Sequence, residues 1–205
     1  MAHVSSFVMS RTCCERGYCR DVVTGDVARE LAESELAEVL PRRWQHVRAV
    51  AAQAERLAAI PGVAGQVLVA AAWLHDIGYA PGLHDTGFHP IDGGRFLRKL
   101  GADDRLGCLV AHHSCAVYEA RVRGLEDVLL AEFPQEASVT YDALVFCDLT
   151  TGPAGQAVTY VERMKEIRDR YGPDHEVTRA LELSEADLSA CCKRTLARLA
   201  DLQLT

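Results

Sequence analysis

The sequence predicts an all-α fold, a compact bundle of about seven to nine helices. Apolar residues recur at the 3.6-residue period of a helix through most of the chain. No segment alternates at period two with β-branched residues and with turn signals at both ends, as a half-buried strand would. About half of the 205 residues (49%) are apolar, which is enough for a real core, and the length suits one domain.

The helical pattern is interrupted by prolines and glycines, which mark most of the boundaries between helices. The predicted helices cover, in chain order, 26–40, 42–59, 63–76, 89–100, 106–113, 125–133, 141–149, 158–171 and a last helix that begins at Ser184.

The first three helices are predicted from apolar arcs and from the residues that break them. The helices over 26–40 and 42–59 each carry an apolar arc at the helical spacing, and Pro41 separates them. The segment 63–76 is apolar nearly all round, which is typical of a helix in the middle of a core. Its many alanines favour a helix over a buried strand.

The next two helices follow a loop over 78–87 that is rich in glycine. A helix restarts at His89 and stops at Gly101. The helix after it has an apolar stripe over 106–113, and His113 lies on that stripe.

The remaining helices are bounded in the same way. The helix over 125–133 ends before a proline, and the helix over 158–171 ends at a glycine. Between them, the helix over 141–149 places Asp148 on the same face as apolar side chains. The last helix is predicted to begin at Ser184, where a variant of the capping box stands.

The charge and hydropathy patterns exclude two classes of partner. The formal net charge is −7, whereas a protein that binds a nucleic-acid duplex needs a basic surface. The longest uninterrupted apolar run, over 67–74, is far shorter than the roughly 20 residues that cross a bilayer. The start of the chain carries no secretory signal, so we expect a cytoplasmic protein that binds no membrane. The sequence leaves open whether the protein forms a homodimer.

The domain organisation predicted from the pattern is simple. Residues 1–25 show no periodicity and are expected to be a flexible extension, while 26–205 form one helical domain whose motifs lie within 42–151. None of the eight cysteines forms a CxxC motif, so we expect reduced thiols rather than a zinc ribbon. A metal site made by Cys13, Cys14 and Cys19 is an alternative, but it lacks a fourth ligand.

Acidic and histidine side chains at the edge of the predicted core are the candidates for chemistry. His75-Asp76 ends the most apolar helix, so two donor side chains stand at the rim of the core. Asp148 has no Arg or Lys within 138–156 to neutralise it. A carboxylate on an apolar face costs several kcal/mol unless it is paired or metal-bound. A long-range ion pair is the alternative for Asp148, and a solvated carboxylate is the alternative for Asp76.

Six of the eight histidines fall between His46 and His113, and histidine is the commonest metal ligand. His46 lies on the flank of an apolar arc, which also suits a histidine at the boundary of the core. His113 shares a stripe with apolar residues and is expected to face the site, with His112 as the fallback. His89 begins a helix, whereas His84 in the loop before it could be solvated.

The order His46, then His75-Asp76, then Asp148 resembles the H…HD…D signature of the HD-domain metal-dependent phosphohydrolase superfamily. The segment 74–78, LHDIG, resembles the HDIG variant of that signature. Many HDIG members have lysine at the next position, where this chain has Tyr79, so the phosphate contact that such a lysine could provide is missing. The resemblance covers 42–151 and agrees with the all-helical fold.

The resemblance also implies a set of metal ligands. His89 and His113 resemble the additional histidines of the two-metal branch of the superfamily. One divalent ion is then held by four residues: His46, His75, Asp76 and Asp148. Asp76 bridges to a second ion, which is bound by His89 and His113. Histidine and carboxylate ligands suit Mn²⁺, Fe²⁺, Co²⁺ or Zn²⁺, and one or two ions are expected.

The function that the resemblance implies is hydrolysis of a phosphomonoester or phosphodiester bond in a nucleotide or small phosphorylated metabolite. A metal-activated hydroxide would attack phosphorus, with His75, Asp76 and Asp148 as the catalytic residues. The cations expected to bind the rest of the phosphate are Arg48, Arg95 and Lys99, with Arg42 and Arg43 as further candidates. A di-iron oxygenase of the same fold and a non-catalytic signalling module are the alternatives.

Overall fold

A computed structural model describes residues 23–203, and this part of the chain forms α-helices and short 3-10 turns without a β-strand. The prediction of an all-α fold is confirmed. The helices are α1 (Gly25–Leu36), α2 (Pro41–Leu57), α3 (Gly65–Leu74), α4 (His89–Lys99), α5 (Asp104–His112), α6 (Ala116–Val122), α7 (Glu126–Glu132), α8 (Val139–Leu149), α9 (Tyr160–Tyr171) and α10 (Glu176–Gln203).

Helix α3 lies at the centre of the core, as its uniformly apolar sequence predicts. It packs against α1, α2, α5 and α8, and Leu68 and Leu74 are fully buried. The alanines 70–72 are also buried, and their small side chains let the surrounding helices approach closely. The C-terminal end of α3 therefore delivers His75-Asp76 into the middle of the bundle.

A close backbone contact fixes the loop after α3 against the first turn of α4. A side chain at Gly78 would place its Cβ 2.0 Å from the carbonyl oxygen of His89 and 2.7 Å from the amide nitrogen of Gly93. Glycine is required at this position because only a residue without Cβ fits there. This contact brings the segment that follows Asp76 next to His89.

Two features of the fold differ from the sequence prediction. Helix α6 was not predicted, because its buried face consists only of the small residues Ala116 and Ala120. Helix α10 begins at Glu176 rather than at Ser184, which lies inside the helix and donates a hydrogen bond to the carbonyl of Leu181. A serine that bonds back to its own helix cannot cap it, so the capping-box pattern was misleading here.

Three further expectations concern the start of the chain, the cysteines and membrane spanning. The predicted extension over 1–25 and the cysteine cluster at positions 13, 14 and 19 lie almost wholly outside the described residues. Five further cysteines are free thiols: Cys108, Cys115, Cys147, Cys191 and Cys192. None of the described helices is both long enough and apolar enough to span a membrane.

Candidate metal centre

Six side chains from separate parts of the sequence meet at one place in the bundle. They are contributed by α2, by the residues just after α3, by the start of α4, by the turn after α5 and by α8. The six are His46, His75, Asp76, His89, His113 and Asp148. All six were predicted from the sequence, and the structure brings all of them together in two groups of three.

The first triad consists of His46, His75 and Asp148, whose ligand atoms all lie within 4.8 Å of one another. The Nε2 of His46 is 3.0 Å from the Oδ1 of Asp148, and the Nε2 of His75 is 4.0 Å from the same oxygen. All three residues are buried. The other oxygen of the Asp148 carboxylate, Oδ2, accepts a hydrogen bond from the hydroxyl of Ser114.

The second triad consists of Asp76, His89 and His113. The Oδ1 of Asp76 lies 3.5 Å from the Nε2 of His89 and 3.7 Å from the Nε2 of His113. The two histidine nitrogens are 3.2 Å apart. Three ligand atoms therefore face a common point.

Asp76 lies between the two triads and turns a different oxygen toward each. Its Oδ1 faces His89 and His113, whereas its Oδ2 is 3.3 Å from the Nε2 of His75 and 3.8 Å from the Nε2 of His46. A carboxylate in this position can contribute one oxygen to each of two neighbouring ions.

Backbone carbonyls orient three of the histidine rings. The Nδ1 of His46, His75 and His113 lies 3.1, 2.8 and 2.6 Å from the carbonyl oxygens of Gly152, Ala72 and Val110, respectively. When a metal is bound, an Nδ1–H that donates to a carbonyl leaves the lone pair of Nε2 for the ion. All three Nε2 atoms point toward the centre of the cluster.

The donor atoms fit a divalent transition ion. The Nε2 of His75 is buried and has no hydrogen-bond partner among the described residues, although such atoms are normally satisfied. Two ligands that are each about 2.1 Å from one ion lie roughly 3.0–3.4 Å apart. The observed separations of 3.0 Å between His46 and Asp148 and 3.2 Å between His89 and His113 fall in this range.

The electrostatics of the cluster keep the carboxylates ionised. Burial alone would raise the pKa of Asp76, but Arg43 and His75 hold it well below its usual range. Burial would likewise raise the pKa of Asp148, and the hydrogen bond with His46 and the charge of His75 lower it instead. Two buried carboxylates that stay charged form a strong site for cations.

The histidines divide into two kinds. Burial lowers the pKa of His75, but the neighbouring Asp76 carboxylate more than compensates and raises it to about 9. Burial lowers the pKa of His89 and of His113, so those rings are neutral at pH 7 and carry free lone pairs. A divalent ion bound beside His75 would supply the positive charge in place of the ring proton that this raised pKa favours.

The turn that follows α5 places His113 in the cluster and turns His112 away from it. His112 is buried away from the cluster, and its Nε2 lies 2.7 Å from the carbonyl oxygen of Phe133. Ser114 and Cys115 adopt left-handed backbone conformations, with φ of 50° and 57°. The hydroxyl of Tyr141 accepts a hydrogen bond from the Cys115 amide and donates one to the His112 carbonyl, which braces this strained turn.

Arg43 is the cation closest to the cluster. Its Nη1 donates a 2.7 Å hydrogen bond to the Oδ2 of Asp76, and its guanidinium lies 3.9 Å from the centre of the Tyr79 ring. The Tyr79 ring also stacks on His89, with the ring centres 3.8 Å apart. Tyr79, which replaces the lysine expected after the HDIG segment, thus packs against both a predicted ligand and an arginine.

The predicted phosphate-binding residues Arg48, Arg95 and Lys99 are not brought to the cluster. Arg48 and Lys99 are exposed elsewhere on their helices. Arg95 is paired with Asp85 and Glu132. Sequence proximity to a candidate ligand does not ensure proximity in space, because residues two to ten positions away on the same helix can point elsewhere.

A cavity of about 120 Å³ adjoins the cluster. Arg43, Arg163 and Arg170 line it together with four of the six clustered residues, Asp76, His89, His113 and Asp148. Sequence reasoning missed Arg163 and Arg170 because α9 lies outside the region of the motifs. The signal that could have found Arg163 is its place on the same stripe as Met164 and Ile167, where a charged residue is unusual.

Comparisons with known proteins agree with the geometry. Residues 43–139 match the family model of the HD domain. Ribonuclease Y of Rubrobacter xylanophilus is 30% identical over an alignment of 156 residues, and the alignment covers 71% of this chain and 26% of that protein. The chain thus spans about a quarter of the length of that relative. No solved structure matches the chain.

Proposed function

Because residues 43–139 match the family model of the HD domain, we propose that this chain is a metal-dependent phosphohydrolase that hydrolyses a phosphate ester of a nucleotide or another small phosphorylated metabolite. In such a reaction water supplies an oxygen to phosphorus, the P–O bond to the leaving group breaks, and a proton goes to the leaving oxygen. The observation that carries the proposal is the position of Asp76, which turns one oxygen toward each of two triads.

The ligand assignment follows the two triads. His46, His75, Asp148 and the Oδ2 of Asp76 would hold one ion. The Oδ1 of Asp76, with His89 and His113, would hold a second. Divalent ions bound there lower the pKa of a coordinated water and neutralise charge on phosphoryl oxygens. The mixed imidazole and carboxylate set favours Mn²⁺, Fe²⁺, Co²⁺ or Zn²⁺ over Ca²⁺.

Arg43 is the side chain best placed to bind the phosphoryl group. It lies at the edge of the cluster, and its planar guanidinium has donors spaced to match two phosphate oxygens. Stacking against Tyr79 limits the positions that the guanidinium can take. Arg43 therefore orients the phosphoryl group over the clustered residues.

The dimensions of the cavity support a small substrate. Its volume is about 120 Å³, and α9 and α10 close one side of it with apolar residues that include Ile167 and Leu181. A single-stranded nucleic acid needs an open basic groove, and the chain as a whole has a net charge of −7. Ribonuclease Y is named for action on RNA, so an RNA oligonucleotide belongs among the compounds tested.

The experiment that tests this function combines metal analysis with a substrate screen. The purified protein is analysed for metals and reloaded with Mn²⁺, Fe²⁺, Co²⁺ or Zn²⁺. It is then assayed for phosphate release from nucleotides and sugar phosphates and for cleavage of an RNA oligonucleotide. We expect one or two ions per chain and turnover that needs them. The proposal fails if the metal-loaded protein hydrolyses no phosphate ester.

The same preparation separates hydrolysis from oxygenase chemistry, since iron and manganese accept the same ligands. Protein loaded with Fe²⁺ without oxygen is exposed to oxygen in the presence of the best substrate. We expect phosphate release without oxygen uptake. Oxygen consumption linked to substrate loss would favour the di-iron oxygenase instead.

A further inference from the structure

A second pocket, of about 320 Å³, shares Arg43 with the cavity described above. It is enclosed by the start of α2, by Pro153 and by α9. We call it the arginine pocket, and it is lined by Val39, Leu40, Pro41, Arg42, Arg43, His46, Pro153, Arg163 and Arg170. Four of these residues are arginines, and none of the described residues that line it is acidic.

The two pockets adjoin each other. Arg43, Arg163 and Arg170 line both of them, and His46 of the first triad lines the arginine pocket. A group bound in the arginine pocket would therefore lie next to a group bound at the triads.

The positive charge of the arginine pocket is only partly balanced. Arg163 and Arg170 share a single carboxylate, Glu166, at 2.6 and 3.4 Å. Arg42 makes no ion pair with any residue that the structure describes. Arg43 is balanced by Asp76, which is itself a predicted metal ligand.

Arg163 is an unusual residue to find in such a position. It is buried, and its Nε has no hydrogen-bond partner among the described residues. A buried guanidinium is normally fully hydrogen-bonded, so a partly satisfied one has capacity for an additional acceptor.

The start of α2 adds further donors. Leu40 precedes the helix without a capping side chain, and the first turn contains no acidic residue. Amide groups in the first turn of a helix have no partner within the helix, and the helix dipole favours an anion there. The amides of Arg42 and Arg43 belong to this turn.

From this arrangement we infer that the arginine pocket binds a second phosphoryl group of the substrate. The inference rests on the proposed function, since it takes the first phosphoryl group to lie at the two triads. It restricts the substrate to molecules with at least two phosphoryl groups, either joined as an anhydride or carried on neighbouring positions. A monophosphate would leave the arginine pocket without its anion.

Binding of inorganic anions to metal-free protein tests the pocket without relying on turnover. Isothermal titration compares pyrophosphate with orthophosphate at low ionic strength, since exposed charges are screened by salt. We expect wild-type protein to bind pyrophosphate at least about tenfold more tightly than orthophosphate, which corresponds to about 1.4 kcal/mol.

Matched variants show whether the arginines cause this preference. Arg42 and Arg170 are exposed, so the double variant R42A/R170A is expected to fold, which circular dichroism checks. It should lose the preference for pyrophosphate. The control R48A/R168A removes two arginines from the same helices, neither of which lines the pocket, and should keep it. Equal affinities for the two anions in wild-type protein, or an unchanged preference in R42A/R170A, would overturn the inference.

A kinetic comparison separates this inference from the proposed function. With metal-loaded enzyme, kcat/KM is measured for a nucleoside monophosphate, the matching diphosphate and a 3′,5′-bisphosphate. We expect the diphosphate or the bisphosphate to have a higher kcat/KM than the monophosphate. The R42A/R170A substitutions should lower kcat/KM for that substrate more than they lower it for the monophosphate. Equal turnover of all three would contradict the pocket but not the hydrolase. The absence of any turnover would contradict the hydrolase, while the anion titration would still report on the pocket.

Discussion

Arg43 and Asp76 form a 2.7 Å ion pair at the centre of the candidate site, on the oxygen that faces the first triad. The pair neutralises a buried carboxylate in the protein without bound metal, which is why the pKa of Asp76 stays low despite its burial. A divalent ion at the first triad would take over this role and leave the guanidinium free to bind phosphate. Because Arg43 pairs with Asp76 and also binds phosphate, its removal should affect metal binding and substrate binding in opposite directions.

Replacing Arg43 with glutamine should weaken substrate binding and strengthen metal binding. Loss of the guanidinium removes a contact to the phosphoryl group, so we expect kcat/KM to fall by about 100-fold, equivalent to about 2.7 kcal/mol. Loss of a positive charge beside Asp76 should lower the metal Kd by about tenfold. Metal titration and steady-state kinetics measure the two effects, and R48Q on the same helix is the control. Parallel loss of metal and activity would show that Arg43 acts only by supporting the site.

Metal-free protein should lose thermal stability as the pH rises from about 6.5 to 9. The pKa of His75 is raised from the ordinary histidine value of 6.5 to about 9 in the folded protein, so folding favours its protonated form. A group with a raised pKa contributes its full stability below pH 6.5 and loses it as the pH rises through 9. Melting temperatures across this range measure the effect. A His75→Gln variant whose melting temperature falls as steeply with pH as that of the wild type would contradict this assignment.

Metal affinity should rise over the same pH range. An ion at the first triad must displace the proton on His75, and this displacement becomes easier as the pH approaches 9. We expect the apparent Kd to fall by up to tenfold for each pH unit between 6.5 and 8.5. Competition with a chelating dye of known pH dependence measures it. An affinity that is constant over this range would place the ion away from His75.

Replacing Gly78 with alanine should disrupt the site through the backbone. The new Cβ would lie 2.0 Å from the His89 carbonyl, so α4 must shift and carry His89 away from Asp76. We expect a loss of about 3 kcal/mol of stability, or a fall in Tm of roughly 6–12 °C for a chain of this length. Gly82→Ala is the control, because nothing lies within 4 Å of its added Cβ. Similar melting temperatures for the two variants would refute the close contact.

Some of the candidate ligands could be anticipated from local sequence. Asp148 interrupts an apolar face, and His75-Asp76 ends the most apolar helix, so burial alone marks them as unusual. The structure then shows that the carboxylate of Asp148 meets His46, a residue 102 positions earlier in the sequence. Periodicity predicts which side of a helix is buried, but it does not predict which helices meet.

The parts that were missed depend on tertiary packing. Helix α6 has a buried face of alanines and so lacks a strong apolar stripe, and Arg163 reaches the site from a helix far along the chain. Arg95 was expected to bind phosphate, but it is held by Asp85 and Glu132 instead. Ion-pair partners of surface arginines cannot be assigned without the arrangement of the helices.

The measurement that tests the central claim most directly is the metal content and activity of Asp76→Ala. This substitution removes the carboxylate that faces both triads, so we expect loss of at least one ion per chain and a fall in activity of several orders of magnitude. The fold should survive, because the apolar core does not depend on this side chain, and Tm should change modestly. Asp85→Ala, in the exposed loop nearby, should match the wild type. An Asp76→Ala protein that keeps most of its metal and most of its phosphatase activity would contradict the account.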